Sequence, residues 1–340
     1  MEFIMTPTLV FSAKKVLYLL NAENDILKCN YMGKAQILHD HPIIEYDADI
    51  DPEDNLHIVL LSAMGLLIYC VVNQSAKNVF TLSKIHTDTQ RVNNLRISAQ
   101  KGINIFYTIS TLPFIGQTLI HYAHSGEWTG ARIMEFAPHI KNLSISVDGA
   151  FTFYAAYSAS SNWILKKIDY NQKTKTDLDL DKSAQEIRSV NACNGHCAYT
   201  KGDTVYFDGK RVCHGREPVI LIRRNEIYCL VLRGDSRVLL KKQDTLWQSV
   251  YERNALPLCN VRGDCPITCS KTPFDGKYFS PLGVNERPYE IRSFSPQIET
   301  RLKKLEDQFQ IYTNALTGLQ SRIAKLQAEI DRLNRPSKSE

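Results

Sequence analysis

Short apolar strands recur along residues 8–290 at a spacing of about 40–50 residues, and nothing else in the chain narrows the fold as far. Each unit holds a strand ending in a turn, an apolar strand, a turn, a strand with a polar end, and a fourth strand. The units start near residues 8, 43, 92, 140, 185, 217 and 258. The second is the clearest: Ile43–Asp49, the turn at Asp51-Pro52-Glu53-Asp54, the hairpin Leu56–Leu61 with Leu66–Val72, and Val79–Lys84. Four-stranded units of this period close into a ring, which removes their exposed edges. Seven starts predict an all-β, seven-bladed propeller. The short fifth unit and the weakly patterned last one leave six blades as the alternative. The N-terminal strand within Met1–Val10 is expected to complete the last blade.

One stretch carries a resemblance. Leu143-Ser-Ile-Ser-Val-Asp148-Gly149-Ala-Phe-Thr-Phe-Tyr154 resembles the core of TolB-type and WD-like propeller repeats, with Asp-Gly supplying the tight turn between two strands. Phe11–Leu19 and Ile50–Val59 look like degenerate copies of it. The resemblance implies the propeller fold. It implies no particular activity, because this repeat serves unrelated roles.

The C-terminal residues follow a different rule. Ile298, Leu302, Leu305, Phe309, Tyr312, Leu316, Leu319, Ile323, Leu326, Ile330 and Leu333 alternate steps of four and three. So narrow an apolar seam on one helix needs a partner, which predicts a coiled coil over 296–335. Ile at a and Leu at d in the last heptads suit a parallel dimer. Bulky Phe309 and Tyr312, with a trimer-like Arg301-x3-Leu305-x-Asp307, keep a trimer open. Ser295-Pro296 caps the helix and Pro336 stops it. The expected organisation is therefore a propeller at 1–290, a linker at 291–295, an oligomerising helix at 296–335 and a disordered tail at 336–340.

Composition excludes some classes. A net charge of +5 over 340 residues is too weak to argue for nucleic acid. No run of about 18 apolar residues suggests a membrane span. The N-terminus lacks a secretory n-region, and the nine cysteines are odd in number and irregularly spaced. Free thiols in a cytoplasmic protein are expected.

Three clusters are candidate sites. In the acidic run Glu45–Asp54, Asp47, Asp49 and Asp51 should share one face of a strand. Together they would suit Ca²⁺ or a basic partner, or else form a solvated strand end. The basic stretch Lys210–Lys242 carries Arg211, Arg216, Arg223, Arg224, Arg233 and Arg237. Gathered on one face, they would bind an anionic surface or partner. The cysteines Cys193, Cys197, Cys259, Cys265 and Cys269 fit no familiar zinc spacing. No nucleophile elbow, P-loop or HExxH motif is present. The sequence thus predicts a non-enzymatic scaffold without a required cofactor. Its propeller faces would be presented multivalently, by self-association, to a protein or polymeric partner. The alternative is a propeller glycoside hydrolase or lyase. An acidic pair in the channel would favour the enzyme, and Ser, Asn and apolar lining would favour binding.

Overall fold

The strands pair antiparallel in chain order, four at a time. In the computed structural model of this protein, β1 (Thr8–Phe11), β2 (Leu17–Glu23), β3 (Ile26–Tyr31) and β4 (Lys34–His39) form the first blade. The second is β5 (Ile43–Ile50), β6 (Leu56–Ser62), β7 (Leu66–Val72) and β8 (Lys77–Lys84). The third is β9 (Gln90–Ser98), β10 (Ile103–Thr111), β11 (Gln117–His124) and β12 (Trp128–Phe136). The fourth is β13 (His139–Asp148), β14 (Ala150–Ala159), β15 (Asn162–Asn171) and β16 (Thr174–Ser183). The fifth is β17 (Ile187–Cys193), β18 (His196–Lys201), β19 (Thr204–Phe207) and β20 (Lys210–His214). The sixth is β21 (Arg216–Arg223), β22 (Glu226–Arg233), β23 (Ser236–Gln243) and β24 (Leu246–Asn254).

The structure describes residues 5–274 apart from positions 13–16, 24–25, 32–33, 74–76, 114–115, 137–138, 149, 172–173, 264 and 266, and beyond them Tyr278–Phe279, Tyr289–Glu290, Gln320, Arg322 and Gln327. The chain divides into two units, Met1–Ile291 and Arg292–Glu340. All eleven positions of the heptad seam lie outside the described residues. Gln320, Arg322 and Gln327 are helical and exposed.

Apolar burial between blades holds the ring together. Every residue of β6 is buried, because the strand is covered on both faces. Ile58 and Leu60 pack against Leu20 and Leu27 of the first blade. Val59 and Leu61, one residue out of phase, pack against Ile105 and Tyr107 of the third. Phe106 meets Phe153 between the third and fourth blades, and Tyr154 meets Tyr199 between the fourth and fifth. The outer strands β8, β16 and β24 are largely exposed, and their sequences are correspondingly polar.

The seventh start predicted near residue 258 is not a blade. Its strands, β25 (Leu258–Gly263), β26 (Thr268–Cys269) and β27 (Lys271–Pro273), are six, two and three residues long. That is too short for a four-stranded sheet. Instead β25 runs parallel to β1 on the inner edge of blade 1, from Thr8↔Asn260 to Phe11↔Gly263. β26 pairs with β21 of blade 6 at Leu221↔Cys269 and Ile222↔Thr268, and β27 folds back on β25. The expected closure by an N-terminal strand in the last blade is likewise corrected. β1 belongs to the first blade, and residues 258–273 join the first blade to the sixth. The propeller therefore has six blades. Two further short strands, β28 (Tyr278–Phe279) and β29 (Tyr289–Glu290), pair with each other.

Gly263 marks where β25 leaves blade 1. Its φ is +72°, and a Cβ there would sit 2.2 Å from the Phe11 carbonyl oxygen and 2.7 Å from Ile50 Cγ2. Only glycine combines that backbone conformation with so close an approach.

Candidate functional site: the central channel and its closing segment

The first strand of each blade lines the channel, so its alternate side chains face inward. These positions are polar in blade after blade: Glu45, Asp47 and Asp49 on β5, Asn94, Arg96 and Ser98 on β9, Asn142 and Ser144 on β13, and Asn191 on β17. β25 adds Asn260 and Arg262, and Ser270 and Lys271 follow.

Many of these side chains bind the backbone of the next blade. The N–H groups of Leu95, Ile97 and Ala99 donate to Glu45 Oε1 at 2.9 Å, Asp47 Oδ2 at 3.0 Å and Asp49 Oδ2 at 2.9 Å. Each pair is 50 residues apart in sequence, so the blade period sets the register. Ala192 N–H donates to Ser144 Oγ at 3.0 Å, a separation of 48 residues. Ile220 N–H donates to Asn191 Oδ1 at 2.9 Å, a separation of 29. That last step is shorter because β19 and β20 have only four and five residues.

The acidic run is thus divided by environment. Asp47 is fully buried and accepts the Arg262 guanidinium at 3.0 Å. Burial pushes the Asp49 carboxyl up to about 6, despite the Ala99 and Ile50 N–H groups and nearby Arg262. Glu45 is pushed up by burial to about 7, against Arg96 4.0 Å away. Asp51 does not share their site. It sits in the β5–β6 turn, accepting from Asn55 N–H and Asn55 Nδ2 at 2.8 Å each, with His57 Nε2 at 2.9 Å. Burial raises its pKa, but the Asn55 and His57 contacts outweigh that and hold it below the usual range. Among the described residues no three His, Cys, Asp or Glu side chains are arranged to hold a metal ion.

The basic stretch is also divided. In blade 6, Arg216 pairs with Leu232 and Arg233 with Ser236 at one end of the sheet. Arg223 pairs with Glu226 at the other end, roughly 20 Å away by strand rise. Arg224 follows in that same turn. Arg237 is buried, donating to Glu217 at 2.9 Å and to the Leu256 carbonyl oxygen at 3.3 Å. Arg211 lies on the outer strand of blade 5 and meets His214 Nε2 at 2.9 Å. The six arginines therefore do not make one face.

The closing segment carries thiols into the channel wall. None of the nine cysteines is in a disulfide. Cys265 and Cys269 pack with Cys259, and Cys193 donates to the Thr268 carbonyl oxygen at 3.4 Å. A hydrogen bond to Cys265, then burial, pushes the Cys269 thiol well up, so it stays protonated near neutral pH. Cys193 and Cys197 straddle the β17–β18 turn.

The channel retains a cavity of about 450 Å³ lined by Asp47, Arg96, Asn191, Arg262, Ser270 and Lys271 among others. A second concavity, about 810 Å³, lies on blade 3 against Tyr107, Ile109, Ile120 and Tyr122. It is the larger, but its charged members Arg132 and Glu135 are exposed and face each other at 3.9 Å. Among the described residues, the channel cavity is where several charged side chains converge: Asp47, Asp49, Arg96, Arg262 and Lys271. Sequence reasoning missed Arg96, Arg262 and Lys271. The i, i+2 run of polar residues on β5, β9 and β13 was a signal for Arg96, whereas Arg262 and Lys271 lie in the closing segment, where no such run pointed to them.

No protein-family description matches this chain, and no curated protein is significantly similar to it. Solved structures are similar in fold. The Aleuria aurantia lectin, a six-bladed propeller with a fucose recognition mode, is 12% identical, over 74% of this chain and 96% of that one, with a TM-score of 0.45. The AfRom2 CNH domain is 10% identical over 79% and 95%, with a TM-score of 0.49. The WD40 domain of SCAP from fission yeast is 8% identical over 80% and 74%, with a TM-score of 0.47.

Proposed function

We propose that this protein is a non-enzymatic binding scaffold, with its propeller presented in two or three copies by a parallel coiled coil at 296–335. The observation that carries the reading is the state of the channel carboxylates. A hydrolase or lyase needs an acid and a base free to reach substrate. Here the Asp47 carboxylate accepts a backbone N–H and Arg262, and Asp49 accepts a backbone N–H. Around them the lining is Asn, Ser, Thr, Cys and apolar residues, with the cations Arg96, Arg262 and Lys271. Coupling two or three such propellers would raise avidity for a repeated or polymeric partner without any new contact. Nine cysteines outside any disulfide fit a reducing, cytoplasmic setting. No helix among the described residues is long and apolar enough to cross a membrane.

Light scattering on the full chain tests the assembly. The mass per particle should be that of a dimer or trimer, falling to a monomer in Leu319→Glu with Ile323→Glu. A wild-type monomer, or an unchanged mass in the double variant, would sink the reading.

A further inference from the structure

Three cations converge in the channel, and among the described residues only two of them, Arg96 and Arg262, have a carboxylate within 4.0 Å. Arg96 Nη1 donates to the Leu95 carbonyl oxygen at 2.6 Å and lies 4.0 Å from Glu45. Arg262 spans Asp47 and the carbonyl oxygens of Val261 and Ser270. The Lys271 side chain makes no ion pair or hydrogen bond among the described residues. Burial and then the charges of Arg96 and Arg262 hold its pKa below the usual lysine range, with Arg237 acting the same way. The carboxylate acting on it, Glu217, is already paired with Arg237 at 2.9 Å.

Like charges withdrawn from water destabilise a fold unless a counter-charge joins them. Asp47 answers one cation, burial raises Glu45 to about 7, and Asp49, raised to about 6, accepts the Ala99 N–H. Neutral donors stand beside the cations. Asn191 Nδ2 donates to Ser270 Oγ at 2.7 Å, which leaves the Ser270 hydroxyl proton free to point into the cavity. The planar guanidinium fork suits two oxygens of one anionic group, and lysine supplies a point charge. A volume of about 450 Å³ suits a metabolite-sized molecule.

We propose that the channel binds a small, multiply charged oxyanion between Arg96, Arg262 and Lys271, with Ser270 as a neutral donor. The inference stands apart from the coiled coil, because every residue in it belongs to the propeller. Phosphate esters and di- or tricarboxylates share this chemistry. Calorimetry and thermal melts of the full chain with pyrophosphate and with citrate, against sodium chloride of equal ionic strength, distinguish them. The expected result is a saturable rise in melting temperature with one of the two, weakened at least tenfold in Lys271→Gln and in Arg96→Gln and retained in Lys271→Arg. Without ligand, Lys271→Gln should melt no lower than wild type, because it removes an unpaired cation. Should that variant fail to fold, Arg96→Gln carries the same test. No heat and no shift with either anion, or a shift unchanged in the glutamine variants, would overturn the proposal.

Discussion

The Arg262 guanidinium lies 3.0 Å from the Asp47 carboxylate across 215 residues of sequence. One belongs to the closing segment and the other to the first strand of blade 2. Because β25 also pairs with β1, β26 with β21, and Asn191 and Cys193 of blade 5 donate to Ser270 and Thr268, this segment bonds to four blades at once. It holds the ring shut from inside.

Removing one member of that pair should strand the other. Asp47→Asn keeps an acceptor for Ile97 N–H but leaves the Arg262 charge in a site only 17% exposed. The cost should be about 3 kcal/mol, as for other broken buried pairs. Asp47→Asn with Arg262→Met should recover much of it. Urea unfolding reads both, and equal midpoints for single and double variants would refute the coupling.

Gly263→Ala should destabilise by about 3 kcal/mol or more, since a Cβ would meet the Phe11 carbonyl at 2.2 Å in a left-handed backbone. Gly102→Ala has a similar φ of +82° but open space around it, so it should cost less. Melting temperatures compare the two directly. Similar losses would show that φ alone matters.

Glu45 makes a pH-dependent prediction. The folded state holds its proton more tightly than the unfolded chain, with a pKa of about 7 against 4.5. Its contribution is present in full below pH 4.5 and is lost as pH rises through about 7. Glu45→Gln keeps an acceptor for Leu95 N–H and cannot ionise. It should therefore be more stable than wild type at pH 8, by at most ~3 kcal/mol, and equal to it at pH 4. A gain of the same size at both pH values would remove ionisation as the cause.

Strand-level features were legible in the sequence, and closure was not. Six predicted starts coincide with the first strands of six blades, because β6 and its counterparts bury both faces and read as continuous apolar runs. The start near 258 misled because Leu258, Val261 and Ile267 have the composition of a blade strand, and composition does not reveal that the strand adds to an existing edge. The acidic run was visible, but its partners were the Leu95, Ile97 and Ala99 amides, and a backbone donor leaves no mark in a sequence. The basic stretch reads as one patch because its residues are close in chain order. Along a single strand, residues seven apart, such as Arg216 and Arg223 on β21, stand at opposite ends of the sheet.

Native-state hydrogen exchange, followed by mass spectrometry on peptides across 258–273, tests most directly whether this segment closes the channel. The account predicts that the amides of Asn260 and Val261, which donate to the Pro7 and Ser270 carbonyl oxygens, exchange as slowly as those of β6 and β22. Exchange of 258–273 within seconds, while the six blades stay protected, would contradict it.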